Sequence, residues 1–172
     1  MPQDPISTAH LDALHVVIPA FEQARIWYRA TGGLAGNLHG SAWPLHDIDL
    51  DYLRADWPLI EAALHPYLIS PPQDYCDAEF RIVMAVARVG SIDIELCQLE
   101  DCHVASPTGW HLLAPRPERR DRRAWRGLPL WTLPLDDLLH YKVLIGRHAD
   151  VADLRALVTP ATRSDAEAGD AT

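Results

Sequence analysis

His46-Asp47-Ile48-Asp49-Leu50-Asp51-Tyr52 and Ser91-Ile92-Asp93-Ile94-Glu95-Leu96 are the two stretches that decide the fold of this chain. Successive side chains of a strand point to opposite faces. As strands, the first segment projects Asp47, Asp49 and Asp51 from one face and packs Ile48, Leu50 and Tyr52 on the other. The second repeats the division, with Asp93 and Glu95 against Ile92, Ile94 and Leu96. Aspartate is a poor strand former, and carboxylates about 7 Å apart on one face repel unless positive charge sits between them. A divalent metal explains the pattern economically. Hard oxygen ligands suit Mg²⁺, which keeps several waters and shares its shell with substrate phosphates. The plainer alternative is a half-exposed edge strand whose acids guard against aggregation.

Composition sets the limits. The chain has 172 residues, 48% of them hydrophobic and 23% charged, and a formal charge of −9. Those values fit one globular domain and argue against wholesale wrapping of nucleic acid. No apolar run approaches the ~20 residues of a membrane span, and the amino terminus lacks a signal-peptide pattern. Cys76, Cys97 and Cys102 lack paired CxxC spacing, which favours free thiols in a cytoplasmic protein over a zinc site. The nine histidines show no HxH or HExxH spacing.

Along the chain, Ser7-Thr8 opens a predicted helix to about Arg25, kinked or stopped early by Pro19. A strand over 26–30 delivers the chain to Thr31-Gly32-Gly33 and a short helix ending near Gly40. The acidic strand follows, then a helix over 56–65 closed by Pro66, Pro71 and Pro72. Glu79–Val89 and Ile92–Leu96 read as a hairpin across Gly90-Ser91. Residues 101–128 read as one long irregular stretch, 129–134 as a short strand, and 135–146 and 149–158 as two helices. The expected architecture is an α/β (α+β) domain over 1–159, with a small mixed sheet of four to five strands backed by helices. A disordered tail is expected over 160–172.

Gly32-Gly33, then Asp47-x-Asp49, then Asp93 on a later strand resembles the nucleotidyltransferase superfamily that includes DNA polymerase beta. The stretch from Thr31-Gly32-Gly33 to His46-Asp47-Ile48-Asp49-Leu50 is similar to its small bacterial branch. That branch holds antibiotic nucleotidyltransferases (aminoglycoside and lincosamide types) and toxin-like AbiE and MenT-type transferases. The segment Leu133-Pro134-Leu135 … Lys142 … Gly146-Arg147 … Asp150 … Asp153-Leu154 is similar to the one closing many such domains.

The resemblance implies transfer of a nucleotidyl group from a nucleoside triphosphate to an acceptor hydroxyl or phosphate, with release of pyrophosphate. Asp47 and Asp49 would be ligands of Mg²⁺, two ions in the usual arrangement. Asp93 would be a third ligand or the base that deprotonates the acceptor. Gly32 and Gly33 would let backbone amides approach the triphosphate. The acceptor would be an RNA such as tRNA, a protein in a toxin-like system with a cognate partner, or a small-molecule antibiotic. The competing reading is a catalytically degenerate antitoxin or interaction module, since Pro44-Leu45-His46 stands where the branch often has Arg-x-Thr.

Lys142 is informative without any family. It is the one lysine beside fourteen arginines, and it lies on the apolar stripe of its helix with Leu135, Leu138 and Leu139. A lysine there must snorkel or meet an anion, either a triphosphate or an acid, namely Asp136, Asp137 or one in the tail. Glu95 and Asp51 read as solvated neighbours of the ligands, and Arg147, Asp150 and Asp153 as a structural ion-pair cluster. Six arginines and Trp125 in residues 115–126 form either a mobile solvated loop or an anion-binding flap.

Overall fold

Nine strands form one mixed sheet in the computed structural model, which describes residues 6–158. Helix α1 (Thr8–Ala24) starts on Ser7, whose hydroxyl accepts the His10 amide, and ends on Arg25 in the left-handed region. It runs through Pro19 without a break, so that proline costs one backbone hydrogen bond and no helix. β1 (Tyr28–Ala30), α2 (Gly32–His39), β2 (Ile48–Tyr52) and α3 (Trp57–Leu64) follow. β3 (Leu68–Cys76), β4 (Phe80–Val89) and β5 (Ile92–Gln98) come next, then β6 (His103–Ser106) and β7 (Gly109–Leu112). The hairpin β8 (Asp121–Trp125)/β9 (Leu128–Thr132) leads into α4 (Leu135–Leu144) and α5 (His148–Val158).

The strand order is β7-β6-β4-β5-β2-β1-β9-β8, with β3 on the free side of β4. β2 runs parallel to β5 and antiparallel to β1, and β1 meets β9 in parallel. One face of the sheet carries Ile48, Leu50 and Tyr52 from β2, Ile92, Ile94 and Leu96 from β5, and Ala85 and Ala87 from β4. These pack on Leu14, Val17, Ile18 and Phe21 of α1 and on Ile60 and Leu64 of α3. Each large side chain buried there contributes ~1.5–3 kcal/mol. A second, smaller cluster joins Ala35, Leu133, Leu138, Tyr141 and Leu154 beneath α2, α4 and α5. The opposite face of the central strands, bearing the acids, is left open between these two bodies.

Two segments depart from the expected pattern. Pro71 and Pro72 do not end the chain's regular structure; they lie inside the edge strand β3, where register shifts between Leu68, Ser70 and Gln73 accommodate them. An edge strand tolerates missing amide donors on its free side. Residues 101–128 hold three strands instead of one irregular loop, and these together with β3 raise the sheet from the expected four or five strands to nine. The tail expected over 160–172 lies outside the described residues. Among those described, no helix is long and apolar enough to cross a membrane.

Candidate active site

The open face of the sheet floors a cleft of about 990 Å³, walled by α2, the 43–47 segment and α4. Asp47, Asp49, Gly32, Gly33 and Lys142 all line it. β2 and β5 lie side by side with Asp49 opposite Glu95 and Asp51 opposite Cys97, so period-two alternation delivers acids from both strands to one floor.

Asp49 is held by the turn from β1 into α2. The Thr31 amide donates to the Asp49 carbonyl at 3.0 Å, and Gly32 then takes φ +55°. A Cβ on Gly32 would stand 2.0 Å from Asp49 Oδ2. Only glycine, therefore, lets the start of α2 lie against this carboxylate. Burial, with Asp47, Glu95 and Asp51 around it, pushes the Asp49 carboxyl up to about 7. Its accessible surface is intermediate rather than nil, because the cleft opens above it. Glu95 accepts a hydrogen bond from Asp49, and burial followed by the charge of Asp47 raises its own proton affinity.

Asp93 is not part of this cluster. It faces Arg88 across the β4–β5 hairpin and takes a two-pronged ion pair from it, Nε to Oδ1 at 2.5 Å and a terminal nitrogen to Oδ2 at 3.1 Å. That pair holds its carboxyl below the usual range. Asp93 lies outside the cleft lining, and Glu95, two residues on along the same face, lines it instead. The two-residue turn at Gly90-Ser91 already sets Arg88 opposite Asp93 in the sequence. The register of β2 against β5, which singles out Glu95, is fixed only by tertiary pairing. Asp51 is no solvated neighbour either. It forms a buried ion pair with Arg29 at 2.8 Å, and Arg29 also donates to the Arg119 carbonyl.

Lys142 is buried, with Nζ 2.7 Å from Asp150 and 5.2 Å from the centre of the Trp43 ring. Its carboxylate partner is Asp150 on α5, not Asp136 or Asp137. Arg147 pairs with Glu79 and stands 3.9 Å from Asp150. Trp43 completes this corner. A Cβ on Gly36 would fall 2.2 Å from its ring, its indole N–H donates to Asp153, and its carbonyl accepts from Asn37. Packing of this kind between residues 36 and 43 leaves no mark in sequence spacing.

The Arg-rich stretch is a built hairpin and not a free flap. Arg116 and Arg119 pair with Asp137, and Arg119 also with Asp136. Arg120 stacks on Trp27 and Trp131 and donates to the Tyr28 carbonyl. Arg122 pairs with Glu22 at 2.7 Å, and Arg126 lies over Trp125.

Among the described residues, no three His, Cys, Asp or Glu side chains converge tightly enough to complete a metal shell by themselves. The donor set nevertheless suits a hard cation sharing its shell with phosphate oxygens. Asp47, Asp49 and Glu95 stand together on the floor with no arginine or lysine ion-paired to any of them among the described residues.

The family model for aminoglycoside-2''-adenylyltransferase matches residues 13–108, more than half of the chain. This chain belongs to that family. It is a nucleotidyltransferase, and the solved structures it resembles share its fold. A putative nucleotidyltransferase from Thermotoga maritima superposes with a TM-score of 0.70 at 17% identity, over 89% of this chain and 94% of that one. ANT(2")-Ia, solved with adenylyl-2"-tobramycin, gives 0.59 at 12%, over 88% and 90%. The lincosamide antibiotic adenylyltransferase LnuA, solved with lincomycin, gives 0.54 at 14%, over 88% and 98%. At such identities these likenesses establish the fold alone. No curated protein sequence matches the chain.

Proposed function

We propose that this nucleotidyltransferase moves a nucleotidyl group, adenylyl first among those to test, from a Mg²⁺-bound nucleoside triphosphate to a hydroxyl of a small molecule of the antibiotic type. The observation that carries the reading is the contact of Gly32 with Asp49, opposite Glu95, at the base of an open cleft. It joins a helix start that can receive phosphate to carboxylates with no ion-pair partner among the described residues.

Asp47 and Asp49 would hold the metal, with Glu95 as the third carboxylate in the place the sequence alone assigned to Asp93. When bound, paired Mg²⁺ ions neutralise phosphate charge and orient the attacking and leaving oxygens. The chain's own residues do the positioning. Gly32 and Gly33 present backbone amides to the triphosphate at the start of α2, and Lys142 supplies a fixed positive charge on the opposite wall. Asp150 and Trp43 hold Lys142 in place, so its side chain is ordered before substrate arrives. Glu95 lies where it can accept the acceptor's proton or stay a ligand.

A small acceptor is favoured over RNA because five of the six arginines in the basic stretch are already engaged within the chain. The test is a calorimetric titration with ATP, with and without Mg²⁺, for wild type and Asp49→Asn. Binding that needs both the metal and Asp49 is expected; equal binding by the variant would refute the site.

A further inference from the structure

We infer that the acceptor half of the cleft selects an amphipathic hydroxyl compound of low positive charge and disfavours a polycation; this rests on the nucleotidyl-transfer reading of the same cleft. A polycation needs free carboxylates, and the fold has used nearly all of those it brings here. Asp51 is closed by Arg29, Asp137 by Arg116 and Arg119, Asp150 by Lys142, and Glu79 by Arg147. Asp77 accepts the amides of Glu79 and Phe80 on Oδ1 and the Tyr75 hydroxyl on Oδ2. Among the described residues that line the cleft, what is left is Asp47, Asp49 and Glu95, the group required for the metal. A polyamine seated on them would compete with the catalytic cation.

The neighbouring floor is apolar. β4 alternates so that Ala85, Ala87 and Val89 enter the core, while Phe80, Ile82 and Met84 face the cleft. Met84 pairs with Cys97 and is therefore diagonal to Glu95, on the strand next to it. Ile82 pairs with Tyr75 on β3, and Leu112 stands at the rim. Tyr75 and Leu112 are 39% and 54% exposed, so among the described residues this end of the floor is left uncovered. An acceptor with its hydroxyl at Glu95 and an apolar group over Met84 and Ile82 would match both surfaces, and exposed apolar surface beside a reaction centre is where such a group gains affinity.

The test is calorimetric, on protein loaded with Mg²⁺ and a non-hydrolysable ATP analogue. It is titrated with octyl glucoside below its micellar concentration, an uncharged hydroxylated amphiphile, and with neamine, a polycation. Octyl glucoside should bind at least tenfold more tightly than neamine. Ile82→Asp and Met84→Asp should weaken octyl glucoside at least tenfold and tighten neamine, while Met84→Leu leaves both unchanged. Each variant's affinity for the ATP analogue serves as the check on its fold. Neamine binding as tightly as octyl glucoside to wild type, no binding of either, or an Ile82→Asp variant with unaltered preference would overturn the inference and leave nucleotidyl transfer standing. Failure of the ATP analogue to bind would instead remove the reading on which it rests.

Discussion

The floor formed by β2 and β5 and the hairpin formed by β8 and β9 are both crowded with charge, and the fold treats them in opposite ways. On the hairpin, nearly every arginine finds an acid, a carbonyl or a tryptophan face within the chain. On these two strands, Asp51 and Asp93 are matched by Arg29 and Arg88, while Asp47, Asp49 and Glu95 have no basic ion-pair partner among the described residues. Charge density alone therefore says little. A carboxylate cluster that the fold assembles and then leaves uncompensated is costly to the folded chain, and that cost marks a place awaiting a cation.

The contrast breaks most sharply at Asp49. Asp49→Asn should lower the transfer rate by about 10³-fold or more, measured with labelled nucleotide, because the charge that holds the metal is gone. The same variant should be the more stable protein when metal is absent. Burial keeps a proton on Asp49 up to about pH 7. Between the ordinary carboxylate pKa and 7, the folded chain binds a proton that the unfolded chain has released, so stability of metal-free wild type falls as pH rises through that window. Asp49→Asn lacks this loss and should be roughly 2–4 kcal/mol more stable at pH 8, with the gap closing toward pH 4, as thermal melts would show.

Gly32→Ala comes next. A Cβ placed against Asp49 Oδ2 at a positive φ should cost about 1–3 kcal/mol of stability and ~10²-fold in transfer, because the carboxylate is pushed from its place. Lys142→Met should weaken Mg²⁺–ATP binding roughly tenfold to a hundredfold in calorimetry while Asp49 stays in place. At the bottom of the scale, Arg122→Gln on the hairpin should change transfer by less than about twofold and stability by about 1 kcal/mol or less, since it removes a half-exposed pair with Glu22. A large effect on transfer there would mean that the hairpin takes part in substrate binding.

Much of this arrangement is visible in the residues themselves. Alternation along 46–52 and 91–96 separates core from floor without further information. The Gly32-Gly33 turn falls where β1 hands over to α2, because the flanking apolar runs are short and the glycines permit the left-handed step. Lys142 on an apolar stripe signals a buried cation, as found. The identity of the third acid is hidden, because choosing between Asp93 and Glu95 needs the offset of two strands over forty residues apart. Trp43 as the packing surface of Lys142 is hidden for the same reason, and Asp150 as its partner depends on how α5 folds back on α4. Strand β3 is masked by Pro71 and Pro72, which an edge position tolerates and a central one would not. The arginine run misleads because composition reports charge, whereas the tryptophans and acids that absorb it arrive from Trp27, Trp131, Glu22 and Asp137.

The most direct measurement compares Glu95→Gln with Asp93→Asn in calorimetric titrations of Mg²⁺–ATP, followed by label transfer. Neutralising residue 95 should reduce transfer at least about a hundredfold, while neutralising residue 93, which only releases Arg88, should leave nucleotide affinity and transfer within about threefold of wild type. Loss of activity in Asp93→Asn with retention in Glu95→Gln would contradict the account.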